Sequence, residues 1–135
     1  MDLPDYINES TIVEAIDFGM EYLGLFDVAG EISVDFEKVD FDGLAGFCIG
    51  DDGEYSIHIN AEYDNQMVIS TIFHELVHVE QIVSGRLVQS TGRNHARWND
   101  ESWPSTQYEK YPWEVEAYGT EKLMYEKWSK LYEGR

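Results

Sequence analysis

The sequence predicts an α+β fold: three helices and a short, mainly antiparallel sheet of three strands, in one domain spanning 1–135. Three observations predict it. Apolar residues recur at helical spacing near both ends of the chain and in its middle. Between them, residues 31–37 and 54–60 alternate apolar and polar with the period of a strand. The chain has 135 residues, the length of one domain, and 43% of them are hydrophobic, enough to bury a core.

Residues 1–9 are polar and acidic without apolar period and read as a loose arm. Ser10 caps the first helix, which carries Ile12, Val13, Ile16, Met20 and Leu23 to a stop at Gly24. Ile32, Val34 and Phe36 then mark the buried face of the first strand. The stretches 44–50 and 54–60, joined at Asp51-Asp52-Gly53, form a hairpin. In it His58 points away from Ile57 and Ile59, which suits a surface or edge residue better than a ligand. Asp64 or Asn65 caps a central helix that reaches about residue 84, with Gly85 as its terminating glycine. Ile69, Ile72, Phe73, Leu76, Val79 and Val83 form the core stripe of that helix, while His74, His78 and Gln81 share another side. Residues 85–111 lack clear periodicity and read as a long loop forming one wall of a cleft. Pro112 opens a final helix over about 112–132, with Trp113, Thr120, Met124 and Leu131 on one face.

The formal charge of −18 repels phosphate backbones, which argues against direct nucleic-acid binding and leaves room for a basic protein partner. The single cysteine, Cys48, allows no intrachain disulfide and reads as a core residue. No apolar stretch approaches a membrane span, and the acidic start has no basic leader. The expected location is therefore the cytoplasm, that of a host cell if the chain is phage-encoded.

The chemistry-bearing motif is His74-Glu75-Leu76-Val77-His78. Residues four apart lie on one helix face, so both imidazoles reach one ion, and Glu75 lies beside them as a general base. A catalytic zinc needs three protein ligands and an open position. Glu116, Glu114 and His95 are the candidates for the third. At about 100° per residue, Glu116 falls within roughly 60° of the Trp113/Met124/Leu131 direction and Glu114 roughly 100° from it. This favours Glu116, with His95 and Glu114 as alternatives.

His74-Glu-Leu-Val-His78 followed by the helical run Trp113-Glu-Val-Glu116-Ala117 resembles the gluzincin class of zinc peptidases. The resemblance is closest to the single-domain minigluzincins and to short HEXXH proteins of bacteriophages, and weaker to SprT-like and ImmA/IrrE-like peptidases. It implies a small zincin-like domain with one zinc ion per chain, held by His74, His78 and Glu116. Many gluzincins hold a histidine with an acidic residue four positions after the glutamate ligand. Thr120 stands there in this chain, so that support must differ. SprT-like proteins use a third histidine, a part His95 could take.

The expected activity is hydrolysis of peptide bonds in a peptide or protein substrate. Zinc activates a water, and Glu75 takes its proton and passes it to the leaving amine. Tyr108 and Tyr111 are the preferred oxyanion donors, beside His95 and Arg97. The strand at 55–60 is the expected edge for an extended peptide. Two other functions are compatible with the sequence. One is a zinc-binding but weakly active or self-blocked regulator. The other is an acidic decoy that mimics nucleic acid.

Overall fold

Asn8, two residues earlier than the expected cap, starts the first helix. Its side-chain oxygen accepts hydrogen bonds from the backbone of Ser10 and Thr11 at 3.0 and 3.4 Å. Asparagine caps as well as serine does, and the earlier start gains Glu9 in the positive first turn. The structure is a computed structural model that describes residues 8–37, 45–51, 53–89, 95–99, 101–104 and 111–133. Nearly all of the expected arm lies outside the described residues.

Helix α1 runs Glu9–Leu23 and ends at Gly24, whose φ of 69° is the left-handed conformation that favours glycine. It buries Ile12 and Ala15 against the middle of the molecule and leaves Val13 exposed. A short 3₁₀ turn, Phe26–Glu31, leads into β1, Ile32–Glu37. Strands β2, Gly46–Asp51, and β3, Glu54–Asn60, form the expected hairpin. The sheet order is β1-β3-β2. β1 runs parallel to β3, so the sheet is mixed, with one parallel and one antiparallel ladder. Alternation specifies which face of β1 turns inward, and that face is half-buried; it carries no information about the direction of the neighbouring strand.

Helix α2, Asn65–Val83, is capped by Asp64, which accepts from Met67 N at 2.9 Å. Val68, Ile72, Phe73, Leu76 and Val79 are fully buried. α1, the β1-β3-β2 sheet and α3, Pro112–Glu133, all pack on this helix, so residues 73 to 79 are buried all the way round. Phe18 ties the layers together, with its ring 5.6 Å from Phe73 and 5.8 Å from Trp128.

The expected loop at 85–111 contains a second sheet. Strands β4, Leu87–Gln89, β5, His95–Trp98, and β6, Glu101–Pro104, pair in order and antiparallel. Strands of three and four residues are too short to display a period. Among the described residues no helix is long and apolar enough to cross a membrane.

Candidate metal centre

His74 and His78 leave α2 one turn apart on the side that α3 crosses. α3 adds Glu114 from its first turn. All three are buried, at 5%, 6% and 4% exposure. Glu114 Oε1 lies 2.9 Å from His74 Nε2 and 3.1 Å from His78 Nε2. The other ring nitrogens are held from outside. His74 Nδ1 is 2.8 Å from Glu121 Oε1, and His78 Nδ1 is 2.8 Å from Gln81 Oε1.

These outer partners place the protons. A carboxylate only accepts, so His74 Nδ1 donates to Glu121. Gln81 could turn either end towards His78, but its NH₂ is committed to the Trp113 carbonyl at 3.0 Å and to Glu116 Oε1 at 3.1 Å. Its oxygen therefore faces His78, whose Nδ1 donates to it. Each neutral imidazole keeps a lone pair on Nε2, and both lone pairs meet the Glu114 oxygen. Three buried acceptors that converge require a cation between them, a proton or a metal. Ligands about 2.0–2.1 Å from a tetrahedral zinc stand about 3.3 Å apart. The observed 2.9 and 3.1 Å from Glu114 to the two rings fall just inside that spacing, and all three ligand atoms lie within 4.8 Å of one another. Among the described residues this is the metal-competent cluster.

In the metal-free chain a proton takes the cation's place. Burial works against charge on His74, but hydrogen bonds to Glu114 and Glu121 outweigh it and hold the ring at about 10. His78 is also raised, its bond to Glu114 overcoming burial. Glu114 is held at about 2 by the same two rings despite its burial.

Glu75 is 3% exposed and has no hydrogen-bond partner among the described residues. Burial raises its pKa, opposed by the charges of His78 and His74. It opens, with His74, onto a cleft of about 410 Å³ whose walls include Gly46, Tyr118, Glu121 and Lys122. The Tyr118 ring sits 4.5 Å from that of His74. A Cβ on Gly46 would lie 2.7 Å from the His58 carbonyl oxygen and 2.8 Å from Thr71 Cγ2. β2 reaches the cleft wall only because this position is glycine.

Several expected placements are corrected. Glu114, not Glu116, meets the histidines. Glu116 instead accepts from Arg86 Nη1 at 2.7 and 2.8 Å, as well as from Gln81. The expected helix face was anchored on Leu131, which is 54% exposed. The face that packs is Glu114, Ala117, Glu121, Met124 and Trp128, spaced three and four apart, and it carries two carboxylates to the histidines. Tyr111 is buried in a separate cluster with Leu87 and Trp113, its ring 4.4 Å from Trp113, and does not line the cleft. Tyr108 lies outside the described residues, as do the side chains of His95 and Arg97. β3 is the middle strand with both edges paired, and β2 is the edge that borders the cleft. His58 stacks on Phe47 at 4.6 Å and lies 3.6 Å from Glu37, away from the centre, as expected.

Sequence reasoning missed Gln81 as a partner, Glu121 and Tyr118. Glu121 was detectable: it lies two turns after Glu114, on the stripe that Trp128 anchors. No family model matches the chain, and neither a curated protein nor a solved structure matches it.

Proposed function

We propose that the chain is a zinc-dependent metallopeptidase whose ion is held by His74, His78 and Glu114. The observation that carries this reading is the convergence of three buried acceptors on one point, one residue along from a buried carboxylate that faces an open cleft. Two imidazoles and a carboxylate suit zinc. A zinc ion held there would supply Lewis-acid polarisation of a carbonyl and would bring the pKa of a water from about 15.7 towards about 7.

The chain's own residues do the rest. Glu75, its pKa raised by burial, is a stronger base than a surface carboxylate. It takes the proton of the attacking water and delivers it to the leaving amine nitrogen. Glu121 and Gln81 keep both Nε2 lone pairs directed inward. An extended peptide lies along β2, where Gly46 leaves its backbone against the cleft. Tyr118 takes the role expected of Tyr108 and Tyr111, since its phenol borders the cleft beside His74. The substrate is therefore a protein or peptide segment able to become extended.

The test is turnover of an unfolded protein substrate by the zinc-loaded chain and by Glu75→Gln. Hydrolysis that needs both zinc and Glu75 supports the reading. Zinc binding without turnover would make the chain a metal-binding regulator instead.

A further inference from the structure

The outer partner of His78 does not act alone. Gln81 is fully buried, and its oxygen meets His78 Nδ1 at 2.8 Å. An amide can rotate by half a turn and present its NH₂ instead, which would drive donor against donor and turn the histidine's lone pair outward. What prevents this is the pair of acceptors behind the amide. The Trp113 carbonyl and Glu116 Oε1, at 3.0 and 3.1 Å, take both of its hydrogens. Glu116 is held in turn by Arg86, whose Nη1 donates to both carboxylate oxygens. Arg86 also pairs with Glu80 and lies over the Trp98 ring, 5.2 Å from its centroid. A continuous set of directed contacts thus runs from β5 through Arg86, Glu116 and Gln81 to one ligand of the proposed centre.

We propose that Gln81 is the positioning residue for His78, and that Glu116 and Arg86 fix its amide so that His78 Nε2 always faces the metal. The inference rests on the reading of His74, His78 and Glu114 as a zinc site, but its proton placement exists without metal. Glu116, expected as a ligand, acts here through two other residues. The second sheet becomes part of the metal site through Trp98 and Arg86.

The test uses the full chain, with Gln81→Met and Glu116→Ala as variants. Two quantities are read: the His78 Nδ1–H in metal-free protein, by long-range ¹H–¹⁵N NMR and its solvent exchange, and zinc affinity, by competition with a chromophoric chelator. In wild type, Nδ1 carries a slowly exchanging proton. In Gln81→Met that proton exchanges quickly, and zinc binds about 10–100-fold more weakly. Glu116→Ala moves both quantities in the same direction by less, which keeps the test available if Gln81→Met does not fold. Unchanged Nδ1–H exchange in the folded variants overturns the proposal, even if zinc binding weakens. If wild type binds no zinc while the variants still lose the protected proton, the positioning role stands and the zinc reading falls.

Discussion

Glu114→Gln removes one charge from the centre of the fold and leaves its shape intact. The wild-type carboxylate is 4% exposed and sits between two imidazoles. Its pKa falls from 4.5 to about 2 in the metal-free fold. At about 1.36 kcal/mol per unit this shift corresponds to roughly 3 kcal/mol of stability. The rise of His74 from 6.5 to about 10 reports the same contact together with those of Glu121 and Glu75, and is not added to it. A depressed carboxylate stabilises above its unfolded pKa of 4.5, and that stability is lost as pH falls towards about 2. A raised histidine stabilises fully below 6.5, and that stability is lost as pH rises through about 10. Both contributions are present between pH 4.5 and 6.5. In chelator within that window, Glu114→Gln is expected to unfold in urea with roughly 3 kcal/mol less stability, a fall in Tm of about 10 °C. Zinc in about thousandfold excess over its dissociation constant should add about 4 kcal/mol to wild type and far less to the variant. Equal urea midpoints for the two proteins in chelator would refute the reasoning, since the carboxylate would then not be the partner of the two rings.

Four further variants have expected outcomes. Glu75→Gln should retain zinc, measured by mass spectrometry, while hydrolysis of an unfolded protein falls about 10²–10⁴-fold. Its stability in chelator at neutral pH should be no lower than wild type, because a buried carboxylate with no hydrogen-bond partner among the described residues is replaced by a neutral amide. Gly46→Ala places a methyl 2.7 Å from a backbone oxygen and should cost about 1–3 kcal/mol by urea unfolding; an unchanged midpoint would mean that β2 can move away from α2. Glu121→Ala should weaken zinc about 10–100-fold by chelator competition. Thr120→Ala, which alters the residue four after Glu116, should leave it unchanged.

The helices and the hairpin were legible because each shows its own period over many residues. The bounds of α2 are visible almost to the residue, since Asp64 caps it and Gly85 follows its end. β1 was legible as a strand but its parallel partner was not, because pairing direction depends on what lies between strands. The second sheet was invisible, its strands being shorter than any readable period. His74 and His78 could be placed together from spacing alone. The third member of the buried cluster could not, and the reason is specific to α3. That helix is amphipathic only weakly: Val115, Leu123 and Leu131 are exposed, while Glu114 is buried. Buried carboxylates mimic the solvent face on a helical wheel, so the wheel pointed Glu114 outward. Trp128 with Ala117 and Met124 would have fixed the right face, and Glu114 and Glu121 both lie on it.

In the proposed site Glu114 is the third ligand and Glu116 supports His78 from behind through Gln81. The most direct measurement is zinc content per chain, by mass spectrometry after equilibration with zinc and removal of the excess, for wild type, Glu114→Ala and Glu116→Ala. Wild type should carry about one zinc, Glu116→Ala close to one and Glu114→Ala nearly none. Zinc lost from Glu116→Ala but kept by Glu114→Ala would contradict this assignment, and so would a wild-type chain that takes up no zinc.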